Sequence, residues 1–166
     1  MFKINDYVVY GLNGVCMIED IEKMQLKDKE LEYYILAPIN NKKMIIKIPV
    51  DNKTIAIREL MTKNEIMNLI ECISKKETID IDDFRKKNQE YKSIIRSGNV
   101  SEIIKVIHSI DLEKDEKASL GKRINKTEDD ILLNAKKQLY QEISIVLGIN
   151  INEVEEYIKK CIQKNI

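Results

Sequence analysis

The hydrophobic period of this chain changes once, near residue 60, and that change restricts it to a β part followed by an α part. Before the change, apolar residues alternate with polar ones or run in short β-branched and aromatic stretches. After it, they recur every three or four positions. The β part is organised on residues 6–18, where Val8 and Tyr10 alternate with Tyr7 and Val9. Gly11-Leu12-Asn13-Gly14 interrupts this run, and residues 15–21 lead back. Glycine at 11 and 14 admits backbone angles that a side chain forbids, so the chain can reverse tightly there. Residues 32–38 and 43–49 predict two further strands, separated by the turn-forming Asn40-Asn41-Lys42. Lys27-Asp28-Lys29 predicts an earlier turn, and residues 55–57 a short last strand. Strands this short and this closely spaced predict a small, strongly bent antiparallel β-barrel of the Tudor/SH3-like kind.

The α part is marked by its helix starts and stops. Thr62 and Glu65 form a capping box, followed by Ile66, Leu69, Ile70 and Ile73 on one face. Asp80, Asp82 and Asp83 place carboxylates near the positive end of a second helix. Its buried side is Tyr91, Ile94 and Ile95, and Gly98 ends it. Asn99 with Glu102 opens a third helix, with Ile103, Ile104, Val106, Ile107 and Ile110 inward. Residues 113–125 are charged, contain Gly121 and predict a loop. Thr127 with Asp130 opens a long helix that carries Ile131, Leu132, Ala135, Leu139, Ile143 and Val146 and stops at Gly148. Asn150 with Glu153 opens the last, with Val154, Ile158 and Ile162 inward. The expected fold class is therefore α+β, a barrel over residues 1–60 and a helical bundle over residues 61–166.

Charge is informative only in its distribution. Lys+Arg and Asp+Glu are both 28, so the net charge gives no sign of a nucleic-acid partner. Between residues 84 and 126, however, eleven basic residues face six acidic ones. The three cysteines, Cys16, Cys72 and Cys161, lie far apart in apolar runs and predict reduced thiols. No apolar run approaches a membrane span, and residues 1–6 lack a signal peptide's apolar core, so a cytoplasmic protein is expected. None of the glycines forms a phosphate loop. His108, the single histidine, lies between inward-facing Ile107 and Ile110 and predicts a partly buried structural role. Cysteine spacing fits no zinc motif, and the Asp80–Asp83 carboxylates are accounted for by the helix dipole. No cofactor, metal or catalytic constellation is expected, and nothing points to an enzyme.

Three stretches together resemble the CarD/CdnL family of bacterial transcription regulators. The first runs from Phe2 through Tyr10 to Gly14-Val15 and Ile18-Glu19. The second is Glu32-Tyr33-Tyr34-Ile35-Leu36 with Met44-Ile45-Ile46-Lys47-Ile48-Pro49-Val50. The third is Phe84-Arg85-Lys86-Lys87, through Lys92, to Ser97-Gly98-Asn99-Val100. A related N-terminal module occurs in the transcription-repair coupling factor, but this chain has no helicase region. The resemblance implies that the barrel binds the RNA polymerase β subunit through a strand edge. It implies that the helical part contacts promoter DNA, mostly at the backbone, at the upstream edge of the bubble, and so shifts open-complex stability. By position, Met44, Ile45, Ile46 and Lys47 match the polymerase-facing strand. Lys86 and Lys87 match a DNA-touching basic pair, with Arg85 and Lys92 in the same basic segment, and Phe84 matches a tryptophan that wedges at the fork. Lysines here replace the family's common arginine pair and lose its planar, bidentate phosphate geometry. The rival readings are a protein–protein adaptor and a general nucleic-acid binder that stacks bases on Tyr7, Tyr10, Tyr33 and Tyr34. Exposed strand edges and a hinge near residue 60 allow a domain-swapped dimer as well as a monomer.

Overall fold

The computed structural model describes residues 1–26, 29–81 and 83–164, with Leu12 and Phe84 described by their backbone alone. Lys27 and Asp28 of the expected turn, and Asp82 of the expected acidic helix start, lie outside the described residues. Five strands come first: β1 (Tyr7–Tyr10), β2 (Val15–Leu26), β3 (Lys29–Pro38), β4 (Ile46–Pro49) and β5 (Ile57–Glu59). Five helices follow: α1 (Lys63–Ser74), α2 (Phe84–Ser97), α3 (Val100–Ser119), α4 (Lys126–Leu147) and α5 (Val154–Lys164). The α+β class and the order of its two parts are as the periodicity predicts.

The strands form one antiparallel sheet in the order β4-β3-β2-β1-β5. Among the described residues its two end strands do not pair with each other, so the expected barrel is an open one. The turn after β1 is a single 3₁₀ turn, with Gly11 at φ 45° and Gly14 at φ 70°. Packing at Gly14 is also close, because a Cβ there would stand 3.2 Å from both Gln138 Cγ and Gln141 Oε1 of α4, and those side chains would have to give by a few tenths of an ångström. One face of the sheet closes on Val8, Tyr10, Cys16, Ile18, Tyr34, Leu36 and Ile48. Within that cluster, burial pushes the Cys16 thiol up to about 11. The larger core lies among the helices, around Ile66, Ile70, Tyr91, Ile110, Ile131 and Ile143.

Several boundaries differ from the sequence expectation. β2 and β3 are longer than expected and form a ribbon reaching Leu26 and Lys29, with a bulge between Ile18 and Asp20. β4 starts at Ile46 rather than at residue 43, because Met44 N–H donates to the Asn41 carbonyl at 2.9 Å and closes a turn over residues 41–44. β5 is shifted two residues later than expected, where Tyr10 pairs with Ile57 and Val9 with Arg58. The largest difference is at residues 113–125, expected as a loop. α3 continues to Ser119, supported by the Glu113–Lys117 ion pair at 2.6 Å and by Lys114 with Asp129 of α4 at 2.7 Å. Charge alone does not make a loop when the charges are spaced to pair along a helix. The next helix is capped by Asn125, not Thr127, with Glu128 N–H donating to Asn125 Oδ1 at 2.8 Å.

The other helix starts and stops follow the sequence. Thr62 and Glu65 complete their capping box, and Asn99 accepts from the Glu102 N–H. Gly98 and Gly148 close α2 and α4 in the left-handed conformation. His108 is half-buried, with Nδ1 3.2 Å from the Glu77 carbonyl.

Candidate functional site

Two surfaces carry the residues singled out above. The first is the outer side of β4 and the connector that leads into it. β4 pairs only with β3, from Leu36–Ile46 to Tyr33–Pro49, so among the described residues its other edge is unpaired. Met44 and Ile45 precede it on the connector, 42% and 59% exposed, large apolar side chains with little cover. Strand alternation then divides the rest. Ile46 and Ile48 turn toward the inner cluster, whereas Lys47 turns outward and donates to Glu22 Oε2 of β2 at 2.8 Å. The four sequence-selected residues are thus adjacent but unequal: Met44, Ile45 and Lys47 face out, and Ile46 is half-buried.

The second surface is α2. Its N-terminus is capped by Asp83, which accepts from the Arg85 N–H at 2.9 Å. Arg85, Lys86, Lys92 and Arg96 are exposed, and Arg85, Lys92 and Arg96 recur at helical spacing. Among the described residues these three side chains have no ion-pair partner, and Lys86 has only a 3.8 Å contact with Asp83. The backbone of Phe84 opens the helix, while its side chain lies outside the described part.

Lys87 differs from its neighbours. It is turned inward, with its side chain 13% exposed. Its ammonium pairs with Glu113 of α3 and lies 3.3 Å from the buried Glu128 of α4 and 5.8 Å from the centre of the Tyr91 ring. Burial alone would lower the Lys87 pKa, but the hydrogen bond it donates to Glu113 and the charge of Glu128 outweigh it and hold it above the ordinary lysine value. Burial alone would raise Glu113, and there the hydrogen bonds from Lys117 and Lys87 prevail and hold it below the ordinary carboxylate value. Beside this network, Ile79, Lys87, Tyr91, Ser109 and Glu113 line an open groove of about 460 Å³, so the network keeps some contact with water.

A third cluster went unmarked in the sequence. Glu142 of α4 is 2% exposed and accepts from both terminal guanidinium nitrogens of Arg58 of β5, at 2.6 and 2.8 Å. The Met61 N–H donates to the same carboxylate at 2.8 Å. Gln141, next along α4, exchanges two amide hydrogen bonds with Asn40, at 3.1 and 3.0 Å. The available signal was the seven-residue spacing from Ala135 to Glu142, which puts a carboxylate on the buried stripe of α4.

Residues 2–61 match the CarD-like/TRCF RID domain, and residues 68–159 match the CarD C-terminal domain. The chain belongs to the CarD family. The first match covers the sheet and the second covers the helices from within α1 into α5. This CarD-family chain is similar to YdeB of Bacillus subtilis (strain 168), a candidate transcription factor. The two are 25% identical over 165 residues, which is 95% of this chain and 99% of YdeB. It is accordingly a transcription regulator, and among its described residues no helix is long and apolar enough to cross a membrane.

Proposed function

We propose that this protein binds the β subunit of RNA polymerase through β4 and its connector, and promoter DNA at the upstream edge of the bubble through α2. In this way it shifts open-complex stability without enzymatic chemistry. The observation that carries the reading is the edge of β4 that is unpaired among the described residues, flanked by exposed Met44 and Ile45 and by outward-facing Lys47. Such an edge offers free N–H and C=O groups to a partner strand, and the neighbouring side chains supply selectivity. The exposed cations of α2 suit phosphates, which position a protein on DNA without reading its sequence. A protein that binds the opened promoter better than the closed one shifts the balance between them by that difference in affinity. The reading with bases stacked on the barrel is disfavoured because Tyr10 and Tyr34 are buried.

The test is capture of purified β subunit by the intact protein, with and without promoter DNA. Ile45→Glu and Lys47→Glu are expected to weaken capture while the circular dichroism of the helices is retained. Ile46→Glu is a poor probe, because it also places a charge against the inner cluster. Undiminished capture by both outward-facing variants would move the docking site elsewhere.

A further inference from the structure

We infer that Gln141 and Glu142, adjacent on α4, form a clamp that holds the two binding surfaces in one fixed arrangement. Gln141 acts through Asn40, and Glu142 through Arg58. The inference rests on the functional reading above and deepens it.

The clamp reaches both surfaces. Asn40 directly precedes the turn over residues 41–44, which leads through Met44 to Ile45, and its side-chain amide makes two hydrogen bonds with that of Gln141. On the other side, Arg58 does more than pair with Glu142. Its Nε donates to the carbonyl of Gly98 at 3.2 Å, and Gly98 is the C-cap of α2, the helix bearing the exposed cations. One turn of α4 thus touches the lead-in to the docking strand and, through one arginine, the end of the DNA-facing helix. The contacts join positions 101 and 84 residues apart.

The chemistry suits positioning. A carboxylate as buried as Glu142 is costly unless its charge and lone pairs are met, and here an arginine fork and a backbone N–H meet them. A buried ion pair is weak evidence for net stability, since apolar residues of similar size do as well. What a two-pronged guanidinium–carboxylate contact supplies is direction, because both distances and the plane are set at once. Fixed direction matters when one molecule must engage two partners together. The second contact is then intramolecular, and its effective concentration depends on how well the linkage matches the span. Asn40, Arg58, Gln141 and Glu142 are therefore positioning residues, outside both contact surfaces.

The experiment compares wild type with Arg58→Lys, Gln141→Ala and the double variant. Arg58→Lys keeps the charge and loses the fork. Gln141→Ala breaks the amide pair and leaves the buried charges alone, so it carries the test if the others do not fold. Three affinities are measured: for β subunit alone, for forked promoter DNA alone, and for the polymerase–promoter open complex. The expected result is little change in the two single affinities and a fall of about tenfold or more for the assembled complex, the loss of a bivalent gain. Full retention of that gain in folded variants would overturn the clamp. So would a parallel fall in all three affinities, which marks a purely structural role. Wild-type protein that binds neither partner alone would instead overturn the functional reading, and the clamp with it.

Discussion

Lys86 and Lys87 are neighbours in sequence and opposites in the fold. Lys86 is 76% exposed, whereas Lys87 is held between Glu113 and Glu128. Lys86→Glu should lower affinity for duplex and forked DNA and flatten its dependence on salt, because fewer counterions are released. Lys87→Met should act chiefly on stability. Removing one partner of a buried pair leaves the other charge uncompensated, and about 3 kcal/mol is expected, the low end of the range because the network meets some water. The pH dependence follows from the shifts. Glu113, held below its ordinary value, contributes fully above the unfolded carboxyl pKa, about 4.3, and loses that contribution as pH falls through its lower folded value. Lys87, held above its ordinary value, contributes fully below about pH 10.4 and loses it as pH rises through its raised folded value. Urea titrations of Lys87→Met should therefore show reduced stability at neutral pH and a flatter decline below about pH 4.3. Wild-type stability in this variant would remove the network from the account, and an altered salt slope for DNA would return Lys87 to the binding surface.

At the scale of the element, α2 is the clearest case of one helix serving two ends. Tyr91 and Ile95 anchor it to the core, while Arg85, Lys92 and Arg96 face solvent. Phe84 is its first residue. As a bubble-edge wedge, Phe84→Ala should shorten open-complex lifetime and hardly change the melting temperature, and Phe84→Trp should preserve or lengthen that lifetime. A stability loss of about 3–5 kcal/mol in the alanine variant, together with a damaged tryptophan variant, would make Phe84 a core residue and remove it from the DNA contacts. α3 teaches a different point. Its charged last turns read as loop in a linear scan, yet Glu113 serves both Lys117 on its own helix and Lys87 on α2.

At the scale of the molecule, the two buried clusters are separate, one inside the sheet and one among the helices. α4 joins them. Val9, on the outer side of the sheet, shares a small cleft with Ile95, Ile103 and Leu139, and Gly14 brings the β1–β2 turn against Gln138 and Gln141. With apolar contact and a buried ion pair both crossing the junction, the sheet and the helices should unfold together. Calorimetry of the wild-type protein is expected to show one transition whose calorimetric and van't Hoff enthalpies agree. Two resolved transitions would mean that the junction is too weak to hold the surfaces in register.

By itself, the sequence determined the order β then α, the helix caps at Thr62, Asn99 and Asn150, and the stops at Gly98 and Gly148. These depend on alternation, helical period and capping, which are written within four or so residues of one another. The same local information, with family resemblance, placed Met44, Ile45, Lys47, Arg85, Lys86 and Lys92 on candidate surfaces. Tertiary structure decided the rest. It turned Lys87 inward and Ile46 toward the inner cluster, left one edge of β4 unpaired among the described residues, and buried Glu128, Gln141 and Glu142 along α4. A polar side chain is buried only where its partner stands, and for Glu142 that partner is 84 residues away in the chain.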